Sequence, residues 1–79
     1  MRDDEKDLLA LGREIRRHRD LKGLSQEKLA ELAGLNRNYI GFVERAERSP
    51  RVVTIFRIAR ALGMHPAELI RDMQWTMKG

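Results

Sequence analysis

The chain has 79 residues, a formal net charge of +4 and no cysteine, which excludes a disulfide-stapled fold, a thiolate metal site and any core larger than one small domain holds. No apolar run approaches the roughly 20 residues that a bilayer-spanning helix needs, and the opening MRDDEKD lacks the apolar centre of a secretory signal; the expected location is the cytoplasm. So small a core commonly gains burial by self-association, which makes a homodimer the expectation.

The charge is unevenly placed. Residues 1–7 carry four acids against two bases, whereas Arg37 to Arg60 holds six arginines against two glutamates and no lysine. Such a segment fits a solvated mixed-charge surface or a surface facing phosphate. Arginine's planar fork suits the second.

In chain order, residues 1–5 are expected to form a flexible tail, residues 6–73 a single domain and residues 74–79 a short C-terminal tail. From Lys6 to Leu21, Leu8, Leu11 and Ile15 mark one face of a first helix, with Arg13, Arg16, Arg17 and Arg19 mostly off it. Gly12 inside this helix either weakens it by up to ~1 kcal/mol or admits a neighbouring backbone. Gly23 supplies the terminating turn.

Ser25 is placed to cap a second helix, with Leu24 as an apolar plug just ahead of it; Lys28 at the third position means that the full capping box is missing. Leu29, Ala30, Leu32 and Ala33 recur at helical spacing until Gly34. Asn36 then caps a third helix to about Arg45, with Ile40 and Val43 on its inward side. Helices joined by so short a turn cross steeply, and the second projects outward: the helix-turn-helix geometry.

AERSP reads as a loop. A fourth helix is expected from Val52 to Leu62. Its β-branched opening alone would suit a strand, but Ile55, Ile58, Ala59 and Leu62 are spaced by three and four, not two. Gly63 stops it. A fifth helix starts at His65-Pro66, with His65 as cap or loop residue, and runs to about Asp72 or Met73. The expected fold class is all-α, a compact five-helix domain.

With these elements in place, SQEKLAELAGLNRNYIGFVERAERSP followed by IARALGMHPAEL resembles the DNA-binding domain of the lambda-repressor and Cro-like family of transcription regulators. The likeness covers Leu8 to Ile70, and its marks are Gln26, Ala30, Gly34, Ile40 and Glu44-Arg45. The arginine-bearing version of the motif also resembles the controller proteins of restriction–modification systems. The resemblance implies double-stranded DNA as partner, with Arg37 and Asn38 reaching base edges, Arg at guanine and Asn at adenine. It implies backbone phosphate contacts for Gln26 and Tyr39, and phosphate or groove contacts for Arg45, Arg48 and Ser49. It also implies an acidic patch, Glu27 and Glu31, that meets RNA polymerase.

Several positions keep a plainer reading beside the one the family implies. Phe42 departs from the polar or small residue usual there. It projects from the same face as Asn38, either to meet a thymine methyl or to fold back on Tyr39 or the loop. Arg45 can pair with Glu44 or an acid of the first helix. Glu27 and Glu31 can serve the helix dipole and solubility alone. Leu69, Ile70, Met73 and Trp75 are more apolar than a monomer leaves exposed, which makes the fifth helix the expected two-fold interface.

Neither histidine has a partner at ligand spacing, so no metal is expected, and no cofactor or small-molecule ligand is implied. No nucleophile–base set or phosphate-binding glycine loop is present, which argues against an enzyme. The competing class is a helical module that binds a protein partner, such as an antitoxin-like component.

Overall fold

The computed structural model describes residues 2–71 and 73, and among them all regular structure is helical. Helix α1 spans Asp3–Leu21, α2 Gln26–Ala33, α3 Arg37–Glu44, α4 Val52–Ala61 and α5 Pro66–Arg71. The five helices are those expected, and the differences lie at their ends. α1 begins at Asp3, so residues 3–5 are helical rather than a flexible tail. Asp3, Asp4 and Glu5 stand in its first turn, where carboxylates offset the positive end of the helix dipole. A turn held by charge leaves no apolar trace in the sequence. Trp75, the proposed tail over 74–79 and the end of α5 at Asp72 lie outside the described residues.

The caps follow local chemistry. Ser25 Oγ accepts from the Lys28 N–H at 2.9 Å, and Asn36 Oδ1 from the Asn38 N–H at 2.8 Å. His65 acts as cap for α5, its Nδ1 accepting from the Ala67 N–H at 3.0 Å. Between α2 and α3, Gly34 adopts φ 70°, ψ 35°, and the Leu35 N–H reaches back to the Ala30 carbonyl at 2.8 Å. This left-handed closure carries no Cβ penalty at glycine. It leaves only three residues between the end of α2 and the start of α3.

Every helix contributes to one core. Ile15, Leu29, Ile40, Val43, Ile58, Leu62 and Leu69 are essentially without exposure, each burial favouring the fold by about 1.5–3 kcal/mol before entropy is counted. α1 packs on α3 and α5, α2 on α3 and α4, and α4 on α5. The β-branched opening of α4 is helical because Ile55, Ile58 and Ala59 share the face that meets this core. Packing outweighs a preference worth tenths of a kcal/mol per residue.

Two expectations about α5 are corrected here. Leu69 is fully buried and Met73 8% exposed, so both lie inside the chain's own core and are not free for a partner. Ile70 is half-buried against the same core. A short helix at the end of so small a domain is needed for intramolecular burial first.

Gly12 explains how closely α1 and α3 pack. A Cβ built there would lie 2.5 Å from the Glu44 carbonyl oxygen and 2.7 Å from that of Val43. Of the two readings of Gly12, the second holds: the glycine admits the end of α3.

Candidate nucleic-acid interface

On α3, Ile40 and Val43 face the core while Arg37 and Asn38 are exposed side by side in the first turn. These two line a cleft of about 600 Å³ between α3 and the start of α2, together with Ser25, Gln26, Glu27 and Phe42. In the first turn of α2 the Lys28 N–H is capped by Ser25 Oγ, which leaves the Gln26 and Glu27 N–H groups without helical partners in residues that line this cleft. Arg37 holds Glu27 across the cleft at 3.7 Å, with both side chains more than half exposed. Such a pair contributes at most about 1 kcal/mol and exchanges readily.

Gln26 is not a free surface amide. Its Nε2 donates to Glu44 Oε1 at 3.0 Å. The same carboxylate accepts from Arg19 Nε at 2.7 Å and Arg19 Nη2 at 3.0 Å, and Arg19 Nη1 donates to the Leu24 carbonyl at 2.8 Å. The pair is largely buried, with side chains 11% and 4% exposed. The Glu44 hydrogen bond raises the Arg19 pKa above its ordinary value, against the opposing effect of burial, so the charge persists. One amide hydrogen of Gln26 is thus fixed and the second remains for another acceptor. Charge-assisted bonds from α1 and α2 thus meet at a carboxylate of α3 and tie the three helices together.

The sequence placed Arg19 only off the apolar face of α1, and Glu44 only as a family mark and a candidate partner for Arg45. The usable signal was spacing: Arg19 lies four residues after Ile15 and Glu44 four after Ile40, each on the flank of a buried face. Arg45 pairs with neither Glu44 nor an α1 acid. Its guanidinium instead holds Glu47, Nε to Oε2 at 3.0 Å and Nη2 to Oε1 at 3.3 Å, because Glu44 is already engaged.

Phe42 is half-buried, with the Arg45 and Arg48 guanidinium carbons 5.6 and 5.3 Å from its ring centroid. Tyr39 rests against the core and shares a groove with Arg48, Ser49 and Arg51 on the far side of α3. The structure therefore groups Gln26, Arg37, Asn38, Phe42 and Arg45 around one cleft, with Tyr39, Arg48 and Ser49 around the next. Glu27 and Glu31 are exposed on α2, Glu31 within 3.5 Å of Lys28.

Comparison with known proteins gives a consistent result. A helix-turn-helix family model matches residues 15–69. The control protein C.SmaI of Serratia marcescens is 43% identical over 67 residues, 85% of this chain and 77% of that protein. The restriction–modification controller protein C.AhdI of Aeromonas hydrophila superposes with a TM-score of 0.78 at 49% identity, covering 80% of this chain and 96% of that one. The controller protein C.Esp1396I, solved as a tetramer on its natural 35-base-pair operator, superposes with a TM-score of 0.77 at 28% identity, covering 81% of this chain and 84% of that one.

Proposed function

This chain belongs to the Cro/C1-type helix-turn-helix family of DNA-binding transcription regulators, and we propose that it acts as a homodimer on a near-palindromic operator. Each protomer docks α3 in a major groove, with half-sites roughly 34 Å or 10 base pairs apart. The observation that carries this reading is the division of α3 into a buried face, Ile40 and Val43, and an exposed pair, Arg37 and Asn38, at the cleft.

Arg37 exchanges Glu27 for guanine O6 and N7, and Asn38 bridges adenine N6 and N7. Gln26 gives its second amide hydrogen to a phosphate at the α2 N-terminus. Tyr39, Arg45, Arg48 and Ser49 add backbone contacts, which supply affinity without sequence preference.

The second copy meets α4. Val52 and Val53 are 62% and 56% exposed, beside Phe56 at 37%, in the first turns of α4. The self-assembly on an operator stated for C.Esp1396I supports giving this apolar strip to a like partner. Glu27 and Glu31 form the side offered to RNA polymerase; charge reversal at Glu31 that leaves both DNA binding and transcription unchanged removes that contact. Among the described residues no helix is long and apolar enough to cross a membrane; the DNA-binding regulator family is what supports action by binding, in the compartment that holds the DNA.

Selection from a random DNA pool at two salt concentrations tests the proposal. Enrichment of a two-fold motif with half-sites about 10 base pairs apart is the expected result. Retention without enrichment that collapses as salt rises would reduce the protein to a basic DNA coater.

A further inference from the structure

Resting on the DNA-binding reading, we propose that Phe42 is a positioning residue whose ring holds the Arg45 and Arg48 guanidinium groups ready for DNA phosphates, rather than a reader of a thymine methyl. The two guanidinium carbons lie 5.6 and 5.3 Å from its centroid, within reach of the negative face of an aromatic ring. Both cations are drawn to this one ring, so a thymine methyl would have to compete with them for it.

The backbone delivers them there. α3 ends at Glu44, and Ala46 adopts φ 60°, the left-handed region, as a non-glycine residue. The Ala46 N–H reaches the Val43 carbonyl at 3.0 Å and the Glu47 N–H the Phe42 carbonyl at 2.8 Å. This closure turns the chain back along α3, so that Arg48 comes to lie over a ring six residues earlier. A straight helical continuation would carry Arg48 away from it.

The two arginines are held differently. Arg45 also grips Glu47, a carboxylate that a phosphate replaces on docking. Arg48 has no carboxylate partner among the described residues, and its guanidinium rests on the Phe42 ring. Long arginine side chains lose rotamer freedom when fixed on a phosphate, and prior stacking removes part of that loss. The ring therefore acts through charge placement and leaves sequence choice to Arg37 and Asn38.

The test uses the full chain and the selected operator, with affinity read across a salt series for the natural protein, Phe42→Leu, Phe42→Tyr, Arg48→Ala and the Phe42→Leu/Arg48→Ala double variant. Phe42→Leu keeps the bulk and removes the aromatic face. It is expected to weaken binding about tenfold, equally on operators altered at any thymine, and to flatten the dependence on salt. Phe42→Tyr restores both. In the Arg48→Ala background the same change costs much less.

Loss confined to one thymine position, additive losses in the double variant, or an unchanged salt slope would overturn the proposal. A natural protein that binds no DNA at low salt sinks the DNA-binding reading itself, a separate result. In the free protein, the Arg48 side-chain N–H resonance should carry an upfield ring-current shift that Phe42→Leu abolishes and Phe42→Tyr retains. Its absence from the natural protein overturns the proposal without recourse to DNA.

Discussion

The Cβ that Gly12 lacks would lie 2.5 Å from the carbonyl oxygen of Glu44, so the packing of α1 against the end of the recognition helix depends on a missing methyl group. Alanine at an unobstructed helical site would stabilise the fold by about 1 kcal/mol relative to glycine. Here the sign reverses. Gly12→Ala should destabilise by about 1–3 kcal/mol, lowering the midpoint of thermal unfolding by roughly 4–8 °C for each kcal/mol. A variant as stable as the natural protein would show that the two helices separate freely.

The Arg19–Glu44 pair gives a second prediction. Glu44→Ala leaves the largely buried Arg19 charge with only Asp20 at 3.5 Å and the Leu24 carbonyl as partners, and should cost about 3 kcal/mol, the lower end for a broken buried pair. Arg19→Met in the Glu44→Ala background should recover part of that loss, because the orphaned charge goes with it. Urea unfolding of both single variants and the double closes the cycle. Additive losses would mean that the two side chains do not sense each other.

Arg37→Ala should leave stability within about 0.5 kcal/mol, since this side chain is exposed and its link to Glu27 is long. Its effect should appear in binding, as about 1–3 kcal/mol of lost discrimination at one base position. Uniform weakening across all operators in a competition assay would instead make Arg37 a phosphate contact.

The α4 strip is tested by charge. Val53→Asp should shift the protein towards monomer in sedimentation equilibrium while the helical circular dichroism persists, because an exposed aspartate costs the isolated fold little. Operator affinity should fall with the dimer. An unchanged molecular mass at the same concentration would move the interface elsewhere.

Ala46 offers a stabilising change. A non-glycine residue in the left-handed region carries a strain of roughly 1–2 kcal/mol, partly balanced by the extra disorder that glycine brings to the unfolded chain, about 0.4–1 kcal/mol. Ala46→Gly should therefore raise stability by about 0.5–1 kcal/mol, read from the urea midpoint at constant slope. A loss of stability would show that the alanine methyl has packing value.

Much of this architecture was legible residue by residue. Gly34 and the Ser25 and Asn36 caps are local chemistry, and the spacing of Ile55, Ile58 and Leu62 outweighed a strand-like opening. What escaped was long-range. Arg19 and Glu44 are 25 positions apart, and nothing local pairs them. The Phe42 stack needs a left-handed Ala46, which alanine's propensity argues against. Leu69 and Met73 looked available to a partner because sequence periodicity identifies an apolar face but not the surface that covers it.

On α3, eight residues hold two independent sets of duties: Ile40 and Val43 anchor, while Arg37 and Asn38 stand clear of the core. Mutations at the outer pair are thus screened from selection on folding. On the proposed reading of Arg37 and Asn38 as base contacts, a lineage can drift through many base preferences at those two codons without an intervening unfolded form. Gly34 and Asn36 impose the opposite regime on the junction. One residue inserted there would separate the left-handed Gly34 from the Asn36 cap that starts α3, so diversification at the junction is confined to substitution and closed to changes in length.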